Sequence, residues 1–303
     1  MIPAKEIAYH AIAAVFRLLS LIPRSTGLIL GNIIGRILFL VLKRRRNVVI
    51  DNLTRAFKNE KNKAEINILA KKLFQNLGRI LFEMAWSSRL SKEEFRKYII
   101  VKGLDNYKKA QAKNKGVLFL SAHFGNFELL VASIAIFCSP VSIVVRHMSF
   151  RPLDPFVTQL RTRFGGKTIP ARRSMRKILS ALKNGESVGI PMDQSVDWYE
   201  GVFVDFFGRR ACTNKGLSLI ALKTEAPVIP AFLIWQGSKF VLEFQPELPL
   251  IKTGDKTIDI ESNTQQYTKA IEQFIRRYPD QWFWVHNRWK TKPYHPWPRK
   301  IDT

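Results

Sequence analysis

Acidic side chains and cysteine are what this sequence has little of. Its 303 residues hold 24 Asp+Glu against 49 Lys+Arg, a formal net charge of +25. Two cysteines, Cys138 and Cys212, cannot build a disulfide framework. The fold must rest on a packed core, as suits a reducing compartment. No Cys/His cluster has zinc-ligand spacing, so no metal is expected. There is no G-x-S-x-G nucleophile elbow, no G-x-x-x-x-G-K-[ST] phosphate loop, and no G-x-G-x-x-G after a strand. These absences speak against serine hydrolases of that type, P-loop enzymes and dinucleotide enzymes. Repeats and low-complexity segments are also missing. With 46% of its residues hydrophobic, the chain can fill one large core or two modest ones.

The shortage of negative charge points to anionic partners: nucleic acid, an anionic membrane, acidic proteins or phosphorylated substrates. Residues 7–22 are mostly apolar but carry His10 and Arg17, and lack the cleavage site of a signal peptide. A second apolar run, 26–42, is broken by Asn32 and Arg36. Each run is slightly short for a full span of about 20 residues. Gly27, Gly31 and Gly35 recur every four residues, giving one smooth helix face for close helix contact. Lys43-Arg44-Arg45-Arg46 follows and marks a cytoplasmic face. We expect a membrane-associated helical region over 1–46, a helical connection over 47–99, and one α/β domain over 100–303.

In that last segment short apolar runs alternate with amphipathic ones. Strands are expected near 117–120, 141–145, 168–170, 188–191, 202–206, 228–235 and 240–244. Helices are expected near 128–137, 155–164, 174–184, 214–224, 263–277 and 281–289. Alternation of this kind predicts a largely parallel or mixed sheet flanked by helices. Ligands then bind beyond the carboxyl ends of the strands. His123 follows one such end, Arg146 and His147 another, and Asp193-Gln194 a third.

His123-Phe124-Gly125-Asn126-Phe127-Glu128 carries the chemistry. A carboxylate five positions after a histidine can meet it across a tight turn, which Gly125 and Asn126 would make. A carboxylate on one imidazole nitrogen leaves the other free to take a proton from a hydroxyl. With no evident protein nucleophile, the pair suits direct attack of that hydroxyl on an activated acyl carbon. The Gly125–Phe127 amides and Arg146 are candidates for stabilising the oxyanion. The basic stretch Arg161, Arg163, Lys167, Arg172, Arg173, Arg176 and Lys177 suits phosphate or an acidic protein. Trp282, Trp284 and Trp289 resemble an interfacial belt in composition, but at this spacing they read as core, and His286 reads as structural.

His123-x-x-x-x-Glu128 resembles the signature of the late acyltransferases of lipid A biosynthesis. Ordered stretches along nearly the whole chain resemble that family as well. They include Arg45-Arg46-Asn47 with Asn52-Leu53, Gly185-Glu186, Met192-Asp193-Gln194, Phe206-Phe207-Gly208 with Thr213-Asn214-Lys215-Gly216, and the block from Pro279 to Lys290. The resemblance implies a fold like that of glycerolipid acyltransferases and a place on the cytoplasmic face of a bacterial inner membrane. It implies transfer of a fatty acyl chain from acyl carrier protein, whose thioester is the co-substrate in place of any cofactor, to a phosphorylated glycolipid. His123 and Glu128 would be the catalytic dyad, with Glu128 orienting the base. Arg146, Arg163 and Asp193 match family site positions. Asn126, Arg172 and Arg176 are further candidates for substrate contact. The other readings are transfer to a different lipid, such as a lysophospholipid or a glycosylated phosphoinositide, and a basic membrane- or nucleic-acid-binding protein. Against the last stand the apolar N-terminus and the absence of a nucleic-acid module, so no nucleic acid partner is expected. Cell fractionation checks the anchor: the native chain is expected in the membrane fraction, and a chain found wholly in the soluble fraction would contradict it.

Overall fold

The computed structural model describes residues 4–138, 140–146 and 151–292. His147 lies outside them. Four helices come first: α1 (Ala4–Ser20), α2 (Arg24–Val41), α3 (Lys43–Phe57) and α4 (Lys63–Ser87). Pro23 separates the first two. A capping box opens α4, with Asn62 accepting from the amides of Ala64 and Glu65 while Glu65 accepts from the Asn62 amide.

The glycine face of α2 lies directly on α4. A Cβ added to Gly31 would sit 2.8 Å from Arg79 Cα, and one added to Gly78 would sit 2.1 Å from the Gly31 carbonyl oxygen. No side chain fits between the two backbones. The opposite face of α2 is bare: Ile29, Ile33, Ile37 and Leu40 are 46–64% exposed. This helix is apolar and long enough to cross a membrane by composition and length. One face is nonetheless committed to α4, which carries Lys71, Lys72 and Arg79.

The rest of the chain runs α5 (Lys92–Arg96), β1 (Ile99–Lys102), α6 (Leu104–Gln111), β2 (Val117–Ser121), α7 (Leu130–Phe137), β3 (Val141–Val145), α8 (Asp154–Thr162), β4 (Gly166–Pro170), α9 (Met175–Lys183), β5 (Ser187–Pro191), β6 (Gly201–Phe206), β7 (Arg209–Asn214), α10 (Gly216–Thr224), β8 (Val228–Gln236), β9 (Lys239–Phe244) and α11 (Lys256–Arg277). Seven strands form one sheet in the order β1-β9-β8-β2-β5-β3-β4. From β8 to β4 all neighbours are parallel, while β9 folds back antiparallel on β8. The expected mixed, largely parallel sheet is therefore present. Its central strands are mostly apolar because helices cover both faces. Leu118 and Leu120 join the core with α9–α11 and with α2–α4, whereas Val117 and Phe119 join the core under α6–α8.

One expectation is met outside the main sheet and one fails. The strand near 202–206 is present as β6, but it pairs antiparallel with β7 in a separate ribbon. Residues 281–289 form no helix. Pro279, two residues beyond α11, ends the helical path. The chain then runs as a strap along the His123 turn. Gly125 N–H donates to the Gln281 carbonyl (2.8 Å), and Phe283 N–H donates to the His123 carbonyl (3.0 Å). Trp282 and Trp284 are buried, as core rather than belt.

Glu83, fully buried on α4, ties these parts together. Its carboxylate accepts from Arg24 (3.0 Å), from the Asn126 side-chain amide (3.0 Å) and from the Trp235 indole (2.8 Å). The Arg24 guanidinium sits 4.9 Å from the centroids of the Trp86 and Phe240 rings. One carboxylate thus joins the α1–α2 corner, the sheet and the His123 turn. The helix crossing gives a direct test. Gly78→Ala should destabilise the protein by about 1–3 kcal/mol, since a methyl group would overlap backbone atoms; thermal unfolding in detergent measures it, and an unchanged midpoint would refute the crossing.

Candidate active site

The register of two strands assembles the site. β2 and β5 are parallel neighbours with Ser121 opposite Pro191. Two residues beyond each, the chain presents His123 and Asp193. Equal offsets past a paired end bring them together. His123 Nδ1 donates to Asp193 Oδ1 at 2.9 Å, and His123 N–H donates to Asp193 Oδ2 at 3.0 Å. Trp282, from the strap, donates its indole N–H to the same Oδ2 at 2.8 Å. An ionised carboxylate only accepts, so the Nδ1 proton is fixed and Nε2 keeps its lone pair. Asp193 is 1% exposed and the imidazole 27% exposed.

The turn that carries His123 depends on Gly125, whose φ is +53° and where a Cβ would lie 2.1 Å from the Leu233 carbonyl oxygen. Phe124 anchors the turn against Phe274 and Phe232. Phe127 and Phe283 flank the imidazole, with centroids 5.0 and 6.0 Å away. The Gln194 amide lies 3.4 Å from both ring nitrogens. That placement is too long and too symmetric to occupy the Nε2 lone pair.

His123 opens onto a cavity of about 330 Å³. Leu130, Val131, Ile143, Ile178, Ile190 and Ile220 give it apolar walls, and Ser121, Arg161, Asp193 and Gln194 are among its polar lining residues. A larger but shallow groove beside Lys102 and Arg277 lies at the opposite edge of the sheet and has no histidine in its lining.

Burial is the largest influence on His123 and pulls its pKa down. Attraction and hydrogen bonding to Asp193, aided by the charge of Glu128, outweigh it, so the net shift is upward. Burial likewise pushes Asp193 up, but the His123 and Trp282 donors hold it well below the usual range, at about 2. His286 is structural: its Nε2 accepts from the Ser195 amide (2.9 Å), and burial lowers its pKa to about 4.

The expected His123–Glu128 contact is absent. Glu128 lies past the turn, at the entrance to α7, and accepts from Arg161 of α8 through Nε (2.8 Å) and Nη2 (2.7 Å). The orienting carboxylate is Asp193, which sequence placed on the same edge but not in this role. The site does gather the ends of β2, β3 and β5, as expected. Arg146 lines the cavity mouth, but its side chain is 70% exposed and its nearest acidic partner is Glu200 at 3.4 Å. Arg163 turns away. Its guanidinium donates to the carbonyls of Ser87 and Leu90 at the end of α4, where free carbonyls favour a cation. Asn126 is fully buried and donates to Glu83, outside the cavity. Arg172 and Arg176 are exposed, close in sequence to the lining residues Ala171 and Ser174. Sequence reasoning missed Trp282 as a partner of Asp193 and gave Arg161 no particular role. The aromatic block after Pro279 was the one signal for the first.

These shifts have opposite signs in stability. His123, raised, stabilises the fold below its unfolded pKa, and that contribution is lost as pH rises through the folded value. Asp193, lowered, stabilises above about pH 4, and that contribution is lost as pH falls toward about 2. Asp193→Asn removes the partner that raises His123 and leaves the burial that lowers it. The His123 titration, followed by NMR, should therefore move to lower pH; no movement would refute the pairing.

Comparison with known proteins gives the family. The family model described as bacterial lipid A biosynthesis acyltransferase matches residues 2–291. The lipid A biosynthesis palmitoleoyltransferase of Escherichia coli (strain K12) is 30% identical over 272 residues, covering 87% of this chain and 85% of that protein. The lauroyltransferase of the same pathway and strain is 25% identical, with 87% and 85% covered. The myristoyltransferase is 23% identical, with 87% and 79% covered. With a buried Asp–His pair opening on an apolar cavity, and a family match over nearly its whole length, this chain belongs to the bacterial lipid A biosynthesis acyltransferases.

Proposed function

We propose that this acyltransferase moves a fatty acyl chain from the thioester of acyl carrier protein to a hydroxyl of a lipid A precursor, with His123 as general base. The observation that carries the proposal is the free Nε2 of His123, fixed by Asp193 at the mouth of a largely apolar cavity. Nε2 takes the acceptor's hydroxyl proton as its oxygen attacks the thioester carbon. The imidazolium formed in that step lies against the ionised Asp193, which stabilises it. The departing thiolate then recovers the proton. Glu128 acts on the same step through its charge and by holding Arg161 at the cavity wall. The apolar walls suit an acyl chain, which gains by leaving water.

The membrane side of the proposal rests on α1 and α2. Leu18, Leu21, Ile29, Ile33, Ile37 and Leu40 form an exposed apolar surface. Lys43, Arg44 and Arg45 follow it, exposed. We place these helices in the interface of the inner membrane's cytoplasmic leaflet, where apolar side chains insert and cations meet anionic headgroups. The remaining cationic surface, Arg172 and Arg176 included, faces an acidic carrier protein and the acceptor's phosphates.

The test is an assay with radiolabelled acyl carrier protein and a tetra-acylated, Kdo-bearing lipid A precursor. Wild type should transfer label. His123→Ala should abolish transfer while remaining folded. Asp193→Asn should lower kcat by up to about 10⁴-fold, the loss seen when an orienting carboxylate is replaced by its amide elsewhere. Glu128→Gln should cost less than Asp193→Asn. Full activity of His123→Ala would end the mechanism, and the reverse order of the two carboxylate variants would return the orienting role to Glu128.

A further inference from the structure

Among the described residues of the cavity wall, one buried side-chain polar atom has no partner. Ser121 closes β2, a strand whose other residues, Val117 to Leu120, are all apolar and buried. Its side chain is 2% exposed, lines the His123 cavity, and leaves Oγ without a hydrogen-bond partner. Several other buried hydroxyls are satisfied: Ser133 by the Leu129 carbonyl (2.8 Å), Ser195 by Thr291 (2.9 Å) and Ser218 by Thr264 (2.8 Å), while the unpaired Tyr267 hydroxyl lies away from this cavity. A buried hydroxyl without a partner costs stability, and alanine would fill the position without that cost. Among the described buried polar atoms left unpaired, Ser121 Oγ alone belongs to a residue of this cavity.

Three donors near the site are engaged elsewhere. The Gly125 amide donates to Gln281, the Asn126 side chain to Glu83, and Arg161 to Glu128. Arg146 is largely exposed, beside Glu200. Ser121 stands two residues before His123, at the same strand end.

We propose that the Ser121 hydroxyl is a catalytic hydrogen-bond donor to the acyl carbonyl oxygen, reserved for the charge that develops there. The inference rests on the acyl-transfer proposal. As the acceptor oxygen bonds to the thioester carbon, the carbonyl π pair moves onto oxygen, and Ser121 O–H donates to it. The pair returns as the C–S bond breaks, and the thiolate takes the proton held by His123. Ser121 keeps its own proton throughout, so it is a donor and not a nucleophile.

Ser121→Ala and Ser121→Cys, in the full-length protein with labelled acyl carrier protein and the lipid A precursor, test it. Ala removes the donor and Cys weakens it. Removing a single oxyanion donor costs about 10²–10³ in kcat elsewhere, and a fall of that order is expected for Ala, with Cys between Ala and wild type. The thermal midpoint of Ser121→Ala should be unchanged or higher. A structural hydroxyl would instead lose stability on the same substitution. Wild-type kcat in Ser121→Ala, or parallel loss of kcat and stability, would overturn the inference. A covalent acyl–Ser121 adduct in a mass spectrum would overturn it too, in favour of a nucleophile. Failure of wild type to transfer label would refute the acyl-transfer proposal itself, which separates the two.

Discussion

Asp193 is the group on which the site depends. A buried carboxylate stays ionised only where donors replace its lost water. Asp193 has three: the ring and the backbone N–H of His123, and the indole of Trp282. Each donor comes with a segment attached. The two from His123 lock the turn after β2 against the end of β5. The third pins the strap after α11 onto both. The bond that satisfies Asp193 also fixes the imidazole proton on Nδ1, leaving Nε2 basic. Structural satisfaction and catalytic readiness are thus one arrangement.

A second buried carboxylate, Glu83, does for the periphery what Asp193 does for the centre. It joins the α1–α2 corner through Arg24, the sheet through Trp235, and the His123 turn through Asn126. The glycines of α2 make this possible, because only bare backbones bring α2 close enough to α4. That close approach leaves the other side of α2 apolar and uncovered. The exposed apolar face of α2 and the His123 turn are therefore parts of one packed unit, with two side chains, Glu83 and Asn126, between them.

The proposed chemistry rests on what the cavity offers and where it sits. It holds the His123 imidazole, apolar walls, and an entrance with cations near it. The proposed direct transfer between two bound substrates would use all of these. Glu128, which sequence pairs with His123, instead holds Arg161, and Asp193 holds the imidazole.

Much of this was legible from residue order. The α/β alternation, the largely parallel sheet, the glycine face, the apolar N-terminal runs and the meeting of the β2, β3 and β5 ends all follow from local pattern, because periodicity and strand-end rules act over a few residues. His123 stood out for the same reason. Which carboxylate meets it was not legible. The sequence distance from His123 is 5 to Glu128 and 70 to Asp193, yet the parallel register of β2 and β5 brings the distant one into contact. The roles of Arg163, Asn126 and Trp282 were hidden likewise, since each is decided by a partner far along the chain. The sequence by itself determined which chemical groups are present and which edge of the sheet they occupy. Tertiary packing alone decided their pairing, because a hydrogen bond depends on distances that only the register and the crossing of whole elements can set.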